Sequence, residues 1–116
     1  MKDPRLHLEH ILEAITRIEA YTREGRAAFM QSTLIQDAVV RNFEIIGEAT
    51  KRLPQTLREQ YPSVPWSEIS GFRDVLIHAY HRVDWNEVWL TIERDLPPFK
   101  QQIEHIYQTL KDKPSP

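Results

Sequence analysis

The chain has 116 residues, 41% of them apolar, which suffices for one modest core and makes a second domain unexpected. Fifteen Lys plus Arg against 17 Asp plus Glu leave a formal charge of −2, so no global basic field marks a nucleic-acid or membrane surface, and an anionic substrate has to be met by a local patch. The absence of cysteine excludes a disulfide scaffold, thiolate metal sites and a cysteine nucleophile. The opening stretch MKDPRLHLEH has no apolar signal core, and no run approaches the roughly 18 apolar residues of a membrane span, so a soluble, cytoplasmic protein is expected.

Three glycines and scarce β-branched alternation predict an all-α protein. Asp3 and Pro4 read as an N-cap and a first helical residue, after which Leu8, Ile11, Leu12, Ile15 and Ile18 recur at helical spacing towards Gly25. A second stripe, Ile35, Val39, Ile46, Ala49 and Leu53, opens after Ser32 or Thr33 and stops before Pro54; it contains Asn42, expected as a buried hydrogen-bonding group between helices. Residues 54–70 carry three prolines and predict a short helical turn and a connection, with Pro65 or Ser67 opening the next helix. Asp84 caps a last helical region whose apolar positions run Trp85, Trp89, Ile92, Leu96, Phe99, Ile103, Ile106 and Leu110. Steps alternating between four and three are the seam of helices packed nearly antiparallel in a bundle; the phase holds through Pro97 and Pro98, which predicts a kink or a restart. Trp66, Trp85 and Trp89 are expected to pack the core. The expected organisation is a single domain over 1–112 and a disordered tail at 113–116.

The stretch GFRDVLIHAY, residues 71–80, carries the chemistry. At about 100° per residue, Ile69, Phe72, Leu76 and Ala79 make one apolar stripe. Arg73 and Tyr80 lie on its flank, and His78 points the other way. A half-buried arginine must be paired or must face a partner, because an unpaired buried charge is very costly. Histidine is the usual proton acceptor near neutral pH, and arginine holds a phosphodiester by two parallel hydrogen bonds. On RNA, His78 can serve as general base or acid in attack of a ribose 2'-OH on the adjacent phosphorus, with Arg73 stabilising charge on the phosphoryl oxygens. No metal is needed, and no cofactor is expected. Asp74 can pair with Arg73 or orient a histidine; Tyr80 is a phenol within one turn of His78, placed to bind substrate or accept a modification.

Residues five apart on a helix sit about 140° apart around its axis, so Arg73 and His78 do not share a face. Either Arg73 reaches around, or the helix loosens near His78, or two chains bring their motifs together, and the dimer is favoured because the apolar stripe can continue into a subunit interface. His7 and His10 offer two potential metal ligands on one helix, but no third follows at a recognisable spacing, so a solvated face is the better expectation.

GFRDVLIHAY resembles the R-x4-H-x-Y motif of the HepT-like family, small HEPN-type ribonuclease toxins of prokaryotic toxin-antitoxin pairs. QDAVVRNFEIIGEATKRLP is similar to that family's second helix, and WSEISGFRD to its approach to the motif. The resemblance covers nearly the whole chain. It implies an antiparallel HEPN-like bundle of about four to five helices, homodimeric, with both motifs at a cleft between subunits. Residue by residue, it implies that Arg73 and His78 are the catalytic pair, that Asp74 is the supporting polar residue, and that Tyr80 is the tyrosine that a minimal nucleotidyltransferase antitoxin modifies by transferring AMP from ATP. The implied activity is metal-independent cleavage of RNA, tRNA or mRNA, in a type VII-like pair. The competing reading is a non-catalytic helical scaffold or substrate for the nucleotidyltransferase; a plain nucleic-acid-binding domain fits the acidic net charge poorly.

Overall fold

The structure, a computed structural model, describes residues 3–112. Among these the chain forms α1 (Pro4–Tyr21), α2 (Arg26–Gln31), α3 (Thr33–Arg52), α4 (Gln55–Gln60), α5 (Trp66–His78), a 3-10 turn (Tyr80–Arg82), α6 (Trp85–Leu90), a π segment (Thr91–Asp95) and α7 (Leu96–Asp112). The described residues contain no strand, as an all-α class requires. The expected tail at 113–116 lies outside them.

The helix starts follow local chemistry. Asp3 accepts the Arg5 backbone N–H ahead of Pro4, Ser32 accepts that of Ile35, and Asp84 accepts that of Asn86. Each such cap satisfies an otherwise orphaned donor, an effect of about 1 kcal/mol. α1 ends at Tyr21, short of Gly25: Thr22 leaves the helix at φ −103° and ψ 13°, although its N–H and its hydroxyl still bond Ile18 O. Gly25 then takes φ 96°, a left-handed conformation only glycine adopts freely, and starts the short α2. That helix is held by Gln36, whose buried amide donates to the carbonyls of Phe29 and Met30 at the end of α2.

The four long helices form an antiparallel bundle. Lys100 reaches Glu19 and Tyr107 reaches Glu9, so α7 runs against α1. His7 and His10 share a small cleft with Glu48 and Arg52, so α1 starts where α3 ends. The α1 stripe Leu8, Ile11, Ile15 and Ile18 is buried, as are Val39, Ile46, Ala49 and Leu53 of α3, and Trp89, Ile92, Leu96, Phe99, Ile103 and Ile106 of the last helical run. The Val, Leu, Ile and Phe side chains among them each contribute about 1.5–3 kcal/mol by leaving water. Trp89 is buried, while Trp66 and Trp85 are half-buried and pack on the core; Phe29 meets both Trp85 and Trp89, with ring centroids 6.0 and 5.5 Å away.

Pro97 and Pro98 neither restart the helix nor stop it. Both lack the N–H that an α-helix would bond four residues back. The π segment absorbs this: the Leu96 N–H, last before the prolines, bonds to Thr91 O, five residues back, and the helix continues. Asn42 corrects another expectation. It is buried, but its amide donates to Ala38 O at 2.8 Å within α3 and does not join two helices. His7 is likewise buried, against the solvated face expected of it, whereas His10 is exposed. Among the described residues no three His, Cys, Asp or Glu side chains converge to hold a metal ion, and no helix is long and apolar enough to cross a membrane.

Candidate active site

α5 is anchored at its start by Trp66, whose indole N–H donates to the Arg58 and Tyr61 carbonyls, both at 3.1 Å. Beyond that it buries little. Leu76 is fully buried, Ile69 and Phe72 are half-buried, and Phe72 meets Phe43 of α3 edge-on with centroids 5.1 Å apart. Val75 and Ile77 stay exposed at 52% and 41%. α5 therefore lies against α3 on one side and leaves two apolar residues uncovered at different positions around its axis.

Arg73 lies on the α3 side. Its stem fills a notch made by Gly47: a Cβ at Gly47 would stand 2.3 Å from Arg73 Cβ and 2.8 Å from Cγ. Arg73 Nη1 donates to Asp74 Oδ1 at 3.0 Å, and Lys51 of α3 donates to the same oxygen at 3.0 Å. These two cations hold the Asp74 carboxyl below the ordinary aspartate value, Lys51 contributing most and Arg73 next. Arg73 Nε is buried and has no hydrogen-bond partner among the described residues. Leaving a buried polar group unmet costs about 1–3 kcal/mol, and among the described residues Asn42 Oδ1, Thr50 Oγ1 and Arg58 Nε share that state.

His78 is the last residue of α5 and is exposed. Ala79, at φ −135° and ψ 37°, leaves the helix, although its N–H still bonds Val75 O at 2.9 Å. The helix thus ends at the histidine, and Tyr80 enters the 3-10 turn instead of completing another α turn. Its ring lies edge-on to Trp85, centroids 6.0 Å apart, and its hydroxyl donates to Asp37 Oδ1 near the start of α3. That hydrogen bond, with burial and the charges of Asp37 and Glu44, pushes the Tyr80 phenol up to about 12. It is a still poorer proton acceptor than an ordinary tyrosine.

The structure brings Arg73, Asp74 and Tyr80 together with one stripe of α3, and leaves His78 in solvent. Within one chain Arg73 and His78 stay on different sides of α5, as their spacing implied. Three contributors were missed in the sequence: Asp37, Gly47 and Lys51. Two signals existed. A glycine inside a strongly helical pattern costs about 1 kcal/mol against alanine and implies a packing reason, and Asp37, Glu44 and Lys51 recur every seven residues along one side of the same helix.

These features define an all-α bundle with an arginine and a histidine on one weakly buried helix, its guanidinium braced and its imidazole free to meet a second molecule. Residues 11–106 match the family model described as Ribonuclease HepT-like, and the chain belongs to the HepT-like ribonuclease family. It is 44% identical over 110 residues to the "Gamma-glutamylcyclotransferase and putative RNase" of Methanocaldococcus jannaschii, a match spanning 94% of this chain and only half (50%) of that protein. It is 42% identical over 115 residues to a "Putative RNase" of Caldanaerobacter subterraneus, covering 96% of this chain and 100% of the relative. It is also 43% identical over 101 residues to the "Probable ribonuclease HepT" of Thermococcus cleftensis, covering 86% and 92%. No solved structure matches the chain.

Proposed function

We propose that this chain is a metal-independent endoribonuclease, the toxin of a prokaryotic toxin-antitoxin pair, in which His78 moves the proton of the attacking ribose 2'-OH and Arg73 stabilises the phosphoryl oxygens. The observation that carries this reading is the Arg73 guanidinium: its stem sits in the Gly47 notch, its Nη1 bonds to Asp74, which Lys51 also holds, and the side chain stays 22% exposed. A phosphodiester oxygen is the acceptor that fits a planar, permanently charged fork. Asp74 positions Arg73 and takes no proton itself. Names of the relatives support an RNA substrate. Attack by the 2'-OH leaves a 2',3'-cyclic phosphate or the 3'-phosphate it opens to. Cleavage by purified, unmodified protein should persist in EDTA and yield those ends on mass spectrometry of the fragments; loss in EDTA with recovery on adding a divalent ion overturns the mechanism.

The active species in this reading is a homodimer joined along the outer side of α5. Gly71 sits there in mid-helix, where an added Cβ would meet open space and where glycine costs about 0.5–1 kcal/mol relative to alanine. Val75 lies one turn on, 52% exposed. A glycine beside an exposed valine suits a close helix crossing, and a second copy there covers Val75 and, with His78 on the same face seven residues from Gly71, lets His78 of one chain act with Arg73 of the other. Light scattering should give twice the chain mass for the native protein. Gly71→Gln should give the monomer mass and at least native thermal stability of the isolated helix bundle, since the monomer has room for the side chain. A native monomer that still cleaves RNA would mean that each chain carries a complete site.

In the same reading Tyr80 is the regulatory residue, to which a minimal nucleotidyltransferase antitoxin transfers AMP. Its exposure of 42% leaves the ring accessible. A nucleotide added there puts a bulky anion within one turn of His78 and repels RNA phosphates.

A further inference from the structure

Tyr80 is held from two sides. Its ring rests edge-on against Trp85 and its hydroxyl donates to Asp37 Oδ1, a contact between residues 43 positions apart. Asp37 is exposed on α3, and Glu44, two helical turns further along the same side, adds a second carboxylate near the phenol. α6 contributes the Trp85 ring. Along the chain itself the nearest titratable or charged groups are His78, His81 and Arg82, on the helix end and turn that carry Tyr80. The hydroxyl proton therefore already points at a carboxylate, while the ring stays open to solvent.

From this geometry we infer that Asp37 is the proton acceptor for nucleotidyl transfer onto Tyr80, which makes it a catalytic residue of the modification reaction and not of RNA cleavage. The inference rests on the reading of Tyr80 as the modified residue. In the step, an Oη lone pair attacks the α-phosphorus of a nucleoside triphosphate. The new O–P bond forms as the bond from that phosphorus to its bridging oxygen breaks, and pyrophosphate leaves with the electron pair. The Oη proton passes to Asp37 Oδ1 and then to solvent. A phenol needs such help. With an unperturbed pKa of about 10 it is about 0.1% ionised at pH 7, and the carboxylate neighbours make ionisation before attack harder still. Transfer of the proton during attack avoids the free phenolate, at a gain of about 10²–10⁴-fold for a positioned general base. Asp37 thus makes the protein a competent acceptor, whatever enzyme supplies the nucleotide.

Two donors test this. Mass gain of one adenylyl group per modified chain is followed with a minimal nucleotidyltransferase plus ATP, and separately with adenosine 5'-phosphorimidazolide, which needs no enzyme. Tyr80→Phe is the site control. Asp37→Asn keeps a hydrogen-bond acceptor at the same place and cannot take the proton; Asp37→Ala removes both. With either donor, Asp37→Asn should be about as slow as Asp37→Ala, roughly 10²-fold below native at pH 7.5. The ratio of native to variant rate should shrink about tenfold per pH unit as phenolate supplies the nucleophile in the variants, approaching one near pH 10. Ultraviolet titration of Tyr80 should fall from about 12 in the native chain towards the ordinary tyrosine value in Asp37→Asn. Asp37→Asn reacting at the native rate with both donors at all pH values would reduce Asp37 to a positioning role and overturn the inference. Native protein that gains no mass from the enzyme and ATP overturns the regulatory reading of Tyr80 instead, and the imidazolide ratio then decides the role of Asp37 by itself.

Discussion

Arg73→Ala and His78→Ala should each lower RNA cleavage by at least a hundredfold, about the contribution of a single positioned general base or charge-stabilising donor. The two variants should differ in stability. His78 is exposed at the helix end, so its removal should change stability by less than about 0.5 kcal/mol. Arg73→Ala strips the Gly47 notch of everything beyond Cβ and leaves Asp74 with Lys51 alone, so it should also lower the melting temperature. Arg73→Lys keeps charge and stem but loses the planar fork, and should recover stability before activity. Rates on a labelled RNA, together with thermal melts by circular dichroism, separate the two effects. If both alanine variants cleave at the native rate, the motif is not catalytic, and the chain is better read as a non-catalytic scaffold or substrate for a nucleotidyltransferase. Mixing Arg73→Ala with His78→Ala chains should restore part of the activity if the two residues act across a dimer axis, since mixed dimers then keep one intact pair.

Gly47→Ala should be disproportionately damaging for so small a change. The added methyl carbon would stand 2.3 Å from Arg73 Cβ, and a Cβ cannot rotate away as the end of a side chain can. α3 and α5 must separate, which pulls Lys51 from Asp74 directly and strains the bond of Asp37 to Tyr80 through the turn that follows α5. Overpacking of this kind costs about 1–3 kcal/mol, or very roughly 4–8 °C per kcal/mol for a domain of about this size. It should also lower cleavage more than stability alone accounts for, since the guanidinium moves with α5. Arg73→Gly in the Gly47→Ala background removes the opposing Cβ and should recover part of the lost melting temperature, short of native because a mid-helix glycine costs about 1 kcal/mol, without restoring cleavage. A Gly47→Ala protein with native melting temperature and activity would mean that the two helices can part without cost to the site.

Much of the architecture is written locally. Asp3–Pro4, Ser32 and Asp84 start helices where expected because capping is a contact between residues two or three apart. The four-three seam from Trp85 to Leu110 declares a bundle helix, since periodicity alone decides which side faces the core. Arg73 and His78 stand out because a charged residue beside an apolar stripe is anomalous in any helix, and their five-residue spacing already separates them around the axis. What periodicity does not carry is contact between distant segments. Asp37 with Tyr80, Lys51 with Asp74, and Gly47 with Arg73 are separated by 43, 23 and 26 positions, and only the antiparallel packing of α3 on α5 brings them together. The turn at Ala79, which sends Tyr80 to Asp37, and the π segment that carries the last helix past Pro97 and Pro98 were likewise decided in three dimensions. In each case local propensity left two outcomes close in energy, and burial of Leu76 and Ile92 with their neighbours selected one.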